Sequence, residues 1–350
     1  MEVSLHRLHD TYLRNASLKG AYSPEMIPYA RPIRACPMNR SYSRWRGMKS
    51  SIASLAFSAV LLTPFAAFAK GEILFIRGAD RSGGFMEAKD DSKRTSQLGD
   101  INDKTSNQRN HGWATFAATL RKAGFKVTQI TEPLEAGAPQ AGQTAGAPVA
   151  FETMDLTKVD VIVFGSNNAA YGKPAVDAVE SYLRGGGGAI FISDANFGGH
   201  WADASNSDQP FLDRLGLVAN QDMGTYVLYR DKGDFVRPDH PILKGVNAFD
   251  GEGVTPVTVS KKLAKGVSVE ILAHPKGMVR RNDMPDKAGS KTMATKQDAV
   301  LAAGTIDKGR FIWHFDRNTF FNKGGAGSDI TRHDNAVLAV NLMNWVAKVD

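Results

Sequence analysis

Cysteine is almost missing from this 350-residue chain: the only one, Cys36, sits near the amino terminus. A single thiol makes no intramolecular disulfide, and nothing after position 36 can serve as a thiolate nucleophile. Metal motifs are missing too. The six histidines after residue 69 (His111, His200, His240, His274, His314 and His333) form neither a His-x-x-x-His nor a His-Glu-x-x-His pair, so no zinc site is written into one helix. No internal repeat is evident, and no second long apolar run follows the one that ends at Leu62. The excess of 43 Lys and Arg over 36 Asp and Glu is also misplaced for nucleic-acid binding. Residues 1–47 hold eight basic and three acidic residues. The remainder is close to neutral, which excludes nucleic acid as an expected partner. What is present is ordinary for a packed chain, with 42% apolar and 9% aromatic residues.

From Met48 the sequence reads as a secretory signal peptide: Lys49, an apolar run from Ile52 to Leu62, Pro64, then Ala67-Phe68-Ala69. The small-residue site places cleavage after Ala69. The run is shorter than the roughly 20 residues a membrane span needs. Residues 1–47 are then an over-called start or a disordered basic leader, residues 48–69 the signal, and residues 70–350 a single domain. The expected location is exported, periplasmic or extracellular, with no integral membrane segment once the signal is cut.

Along that domain, Glu72–Arg77, Phe125–Ile130, Val159–Phe164 and Ala189–Ser193 are short apolar runs that read as buried strands. Between them, Trp113, Phe116 and Leu120 mark one helix, and Val176, Val179 and Leu183 after Pro174 mark another, closed by Gly185 to Gly188. Strand and helix alternating with unbroken apolar strands predicts a three-layer open α/β sandwich with a mostly parallel central sheet. The second half adds strands at Val254–Val259 and Val267–Ala273, in a peripheral or antiparallel part. A hairpin follows over Ala299–Phe315, turning at Asp307–Gly309. A last helix carries Val337, Leu338, Asn341, Leu342, Trp345 and Val349, with Asp334 in its first turn. Two insertions, Ser82–Asn110 and Pro133–Pro148, are long for loops.

Ligands of open parallel sheets gather at the carboxyl ends of the strands. These ends are polar here: Arg77-Gly-Ala-Asp80, Gly165-Ser-Asn167-Asn168, Ser193-Asp194-Ala-Asn196 leading to His200-Trp201, and His314-Phe-Asp316. Such residues suit a polyol, a carboxylate or a metal, and they are equally the residues from which turns are built. Trp201, beside His200 in a loop, has the flat apolar face that stacks on a sugar.

The turn after Phe191-Ile-Ser193-Asp194, the segment Asp239-His-Pro-Ile-Leu-Lys-Gly-Val246, and the ending Gly309-Arg-Phe-Ile-Trp-His-Phe-Asp316 before a helix resemble the class I glutamine amidotransferase-like superfamily. Within it, His-Pro-Ile-x-x-Gly resembles the trehalose-utilisation, or ThuA-like, branch. Asp316-Arg-Asn-Thr-Phe-Phe321 with Asp334-Asn-Ala-x-Leu-Ala-x-Asn-Leu342 resembles gliding-motility-type domains. The resemblance spans most of residues 72–349 and implies a flavodoxin-like, amidotransferase-like fold. Where those amidotransferases act, a cysteine occupies the tight turn after a central strand. Ser193 and Asp194 stand there instead, so glutaminase chemistry is excluded.

A serine nucleophile at 193 is poorly supported, because an elbow wants small residues two positions to either side and these are Phe191 and Ala195. Gly185–Gly188 follows a helix, the wrong side for a phosphate loop, and no cofactor is expected. The leading expectation is a small polar or carbohydrate-related ligand held by Arg77, Asp80, Asn167, Asn168, Asn196, His200 and Trp201. A hydrolase or isomerase using Asp194, His314 and Asp316 as acid and base is the alternative, with or without a metal on Asp194, His200, His314 and Asp316. A non-catalytic envelope interaction module is a third.

Overall fold

In this computed structural model the described residues are 69–78, 99–104, 112–132, 148–167, 169–193, 204–220, 224–274, 279–280, 292–324 and 327–349. All fall within one unit of the chain, residues 64–350. The leader, the signal peptide up to Phe68, Cys36, His111 and most of both insertions lie outside them.

The apolar runs become strands β1 (Glu72–Arg77), β2 (Lys126–Thr131), β3 (Val161–Ser166) and β4 (Gly188–Ile192). Short strands follow: β5 (Leu217–Ala219), β6 (Thr225–Tyr229), β7 (Ala248–Glu252) and β8 (Val257–Val259). Next come β9 (Val267–Ala273), β10 (Val279–Arg280), β11 (Thr292–Met293) and β12 (Asp298–Ala299). The hairpin strands β13 (Leu301–Ile306) and β14 (Gly309–His314) complete the set. The helices are α1 (Ala114–Lys122), α2 (Lys173–Gly185), α3 (Ala204–Leu215) and α4 (Asn335–Val346).

The central sheet runs β2-β1-β3-β4-β14-β13-β9. Its first five strands are mutually parallel, and β13 is antiparallel to both neighbours. Side chains alternate across it as the pleat requires. Ile73, Phe75, Val163, Ile192 and Ile312 join Trp113, Phe116 and Leu120 of α1 and Leu338 and Leu342 of α4 in one core cluster. Leu74, Ile76, Phe164, Phe191 and Trp313 join Val179 and Leu183 of α2 and Phe211 and Leu215 of α3 in the other. Both faces of β1, β3 and β4 are therefore buried, which is why these runs are nearly all apolar. The layers approach closely at Gly165, where a Cβ would collide with the Trp113 ring. The expected α/β sandwich is thus the observed fold, and β5-β8-β12, β6-β7 and β10-β11 supply the antiparallel periphery.

Three details differ from the sequence expectation. Val267–Ala273 is antiparallel, as expected, at the edge of the main sheet, but the strand expected from Val254 begins only at Val257. On α4 the buried face is Leu338, Ala339, Leu342, Met343 and Val346, while Val337 is exposed. The helix packs on the sheet along one side and along another on the turn Pro241–Leu243, to whose flanking carbonyls Asn341 donates from Nδ2 (Ile242 O 3.1 Å, Lys244 O 2.8 Å). Asp334 caps no helical amide. Its carboxylate accepts from the amides of Asn247 and Ala248 instead.

Candidate functional site at the strand carboxyl ends

Because β2, β1, β3, β4 and β14 are parallel, the residues that follow them come out along one edge. These are Glu132, Arg77, Asn167, Ser193 and His314 through Asp316, and all are buried. Backbone pairing carries the neighbourhood past the strands: the Ser193 amide donates to His314 O at 3.0 Å, and the Glu132 amide to Arg77 O at 2.8 Å. Of the expected site residues, Arg77, Asn167, His314 and Asp316 therefore share one rim. Asp80, Asn168, Asp194, Asn196, His200 and Trp201 lie outside the described residues.

Each acidic group in the rim is held by protein donors. Glu132 accepts from the Tyr171 hydroxyl at 2.6 Å and the Ala169 amide at 3.1 Å. Burial, reinforced by the Glu132 charge, pushes the Tyr171 phenol well above its ordinary range. Asp208, on α3, accepts from Asn167 Nδ2 at 2.8 Å. Asp316 accepts from the amides of Glu252 at 2.7 Å and Asn318 at 2.9 Å.

His314 is enclosed by the rings of Phe249, Phe315 and Phe320, with centroids 4.9–6.0 Å away. Desolvation pulls its pKa down to about 3, only partly countered by the Asp316 amide, which donates to Nδ1 at 3.3 Å. The ring is therefore neutral at physiological pH, with its proton on Nε2. In register His314 faces Ile192, on the α1 and α4 side of the sheet, so the pleat directs the following residue, Ser193, to the other side. A Ser193–His314 nucleophile–base pair is thus not what this register builds, and the acid–base reading finds no supporting arrangement among the described residues. Among the described residues no three His, Cys, Asp or Glu side chains converge in a way that could hold a metal.

The rim also contains residues that the sequence did not single out. Ser207 and Asp208 lie on α3, a helix hidden by Pro210 and a polar start, although Phe211, Leu212 and Leu215 carried the spacing that reveals it. Thr255 donates its amide to Phe315 O at 2.8 Å and accepts the Trp313 indole N–H at its carbonyl at 3.3 Å. The loop after β14 is fixed from below by Asp250, buried on β7. Its Oδ1 accepts from Ser328 at 2.6 Å and Asn335 at 2.7 Å, and Arg332 Nε reaches Oδ2 at 2.8 Å. Ser193 Oγ, Ser207 Oγ and Thr255 Oγ1 are buried without a hydrogen-bond partner.

The His-Pro-Ile segment has a structural task. Arg230 donates to the carbonyls of Pro238, Val246 and Leu243, and Asn341 holds the turn onto α4, so the segment clasps that helix and supplies nothing to the rim.

No family model and no curated protein matches the chain. Solved structures do. A thuA-like protein from Bacteroides uniformis is 16% identical, with a TM-score of 0.39, over 81% of this chain and 93% of its own. The N-terminal domain of mmIFT52 is 11% identical, with a TM-score of 0.45, over 79% and 97%. A glutamine amidotransferase from Thermotoga maritima is 10% identical, with a TM-score of 0.29, over 70% and 75%. The structural neighbours thus include ThuA-like and amidotransferase-like proteins.

Proposed function

We propose that this is an exported protein that binds a small polar, carbohydrate-related ligand at the strand carboxyl ends and has no glutaminase activity. The observation that carries the proposal is the polar rim itself: Arg77, Asn167, Ser193, Ser207, Asp208, Thr255 and Asp316, all nine-tenths or more buried. A fold whose central strands β1, β3 and β4 are largely apolar gathers hydrogen-bonding groups at the edge where open α/β sheets take ligands. Lack of glutaminase activity follows from composition, since no cysteine exists beyond Cys36 and the amidotransferase cysteine position resembles Ser193-Asp194.

The test is calorimetric titration of the purified protein with a panel of neutral, acidic and amino sugars, repeated on Asn167→Ala, alongside a glutaminase assay. Binding that weakens in the variant, with no ammonia released from glutamine, supports the proposal. Silence across the whole panel, or binding indifferent to the rim substitution, overturns it.

A further inference from the structure

We propose that His240 works as an acid-operated release on the turn that clasps α4: with a neutral ring its Nδ1 caps the Ile242 amide and the turn is closed, and with a protonated ring it swings from that amide toward Glu270 and the turn loosens from the helix. This release does not depend on the ligand-binding function proposed above. His240 opens the turn Pro241–Leu243, and the Ile242 amide donates to its Nδ1 at 3.2 Å. An accepting Nδ1 bears the lone pair, so the neutral ring carries its proton on Nε2. That nitrogen lies 4.0 Å from Glu270 Oε2 on β9, longer than a hydrogen bond. The side chain is only 10% exposed, and its ring centroid lies 5.4 Å from that of Trp345 on α4. Ile242 and Leu243 are fully buried, and the carbonyls of Ile242 and Lys244 hold Asn341 of α4.

The two protonation states want different partners. Protonation puts a hydrogen on Nδ1, which then donates and can no longer accept. Two N–H groups face each other, and the buried Ile242 amide loses its cap. The charged ring gains instead from Glu270, whose Oε1 is 2.8 Å from Arg237. Among the described residues the charged groups acting on the ring are Glu270, which favours the charged form, and Arg237 and Arg310 of β14, which oppose it. Asp239 and Lys244 are exposed neighbours in the chain, and α4 meets the ring with the uncharged Trp345. Burial outweighs the carboxylate and holds the ring below its ordinary pKa of 6.5. The cap is therefore complete above about pH 6.5 and is lost as the pH falls through the lower value of the folded chain.

The experiment is nuclear magnetic resonance on the full chain from about pH 8 to about pH 4, following the His240 ring and the hydrogen exchange of the Ile242 amide. At neutral pH the ring nitrogens report a proton on Nε2. As the ring titrates, with a midpoint below 6.5, protection of the Ile242 amide falls with the same midpoint, by about tenfold or more. His240→Asn keeps on that amide a side-chain oxygen that does not titrate, so its protection stays constant over this range. Glu270→Gln takes away the attraction on the charged ring and moves the midpoint to lower pH by about half a unit. A neutral ring with its proton on Nδ1, or an amide whose protection ignores the titration of the ring, overturns the inference. So does an equal loss of protection in His240→Asn, which would assign the change to His314 or another group, and so does a ring that stays neutral until the chain unfolds.

Discussion

The Asn167 carboxamide donates to the Asp208 carboxylate at 2.8 Å with both side chains fully buried, so a polar contact ties the end of β3 to α3. Around it the sandwich is apolar. The stacked rings of Phe164 and Phe191 lie 5.0 Å apart on the same face of the sheet, with Phe211 of α3 over them. A buried carboxylate in such surroundings depends on its donors.

Asn167→Ala takes one donor from Asp208 and is expected to cost about 1–3 kcal/mol of folding stability, read from urea unfolding. Asp208→Asn in the Asn167→Ala background should cost less than it does alone, because the two changes remove the same contact. Strictly additive losses would show that the contact contributes nothing.

His314 gives the fold an acid-sensitive element. Its folded-state pKa of about 3 lies below the ordinary 6.5 because burial disfavours the charged ring. The unfolded chain therefore takes up the proton first. Stability from the neutral ring is complete above about pH 6.5 and falls as the pH drops toward 3, with a slope approaching about 1.4 kcal/mol per pH unit. His314→Phe, which suits the Phe249, Phe315 and Phe320 surroundings, should flatten that part of the stability curve. An unchanged slope in the variant would assign the acid sensitivity to other groups.

The sandwich was legible because its strands are buried on both faces and so lack polar interruptions: Ile73 to Ile76 and Ala189 to Ile192 can hardly be anything else. The rim was half legible. Arg77, Asn167, His314 and Asp316 follow directly from the rule that ligands meet strand carboxyl ends. Glu132 obeys the same rule but stands before Pro133, where the chain looked like an insertion. Ser207 and Asp208 come from a helix whose polar start and internal Pro210 resemble a loop. The role of His314 could not be read from sequence at all, since three phenylalanines reach it from β7 and from the segment after β14. Asp250 is hidden in the sequence for the same reason. Its partners Ser328, Arg332 and Asn335 lie about eighty residues away in sequence.

Asp250→Ala should be among the most damaging polar substitutions, costing about 3–5 kcal/mol, because it removes a buried charge from Arg332 and strands Ser328 and Asn335. Arg332→Ala, at a partly exposed side chain, should cost clearly less. Equal losses in chemical unfolding would show that the network does not centre on Asp250.

Tyr171 sets the alkaline limit. Burial and the neighbouring Glu132 charge raise its ionisation above the ordinary value of 10. The stability it contributes is therefore fully present below pH 10 and is lost only as the pH rises beyond that. Ultraviolet titration of the native protein should leave this phenol un-ionised until the chain unfolds. Tyr171→Phe should cost about 1.5–3 kcal/mol near neutrality, the loss of a hydrogen bond to a charged acceptor.

Processing after Ala69 is the remaining prediction, and the fold constrains where the cut can fall. The Lys70 amide donates to Gly124 O at 2.9 Å and its Nζ to Asn344 Oδ1 at 3.4 Å, and β1 begins at Glu72 with its amide on Asp160 Oδ2 at 2.7 Å. Cleavage further along would remove contacts that seat the first strand, whereas cleavage after Ala69 leaves every one of them in place. Intact-mass measurement on protein secreted by a bacterial host should give a chain beginning at Lys70. Ala69→Arg places a large charged residue at the small-residue site and should leave the precursor uncut. A mature chain that keeps residues 48–69, or an Ala69→Arg precursor that is still cleaved after position 69, would remove the signal peptide and the exported location with it.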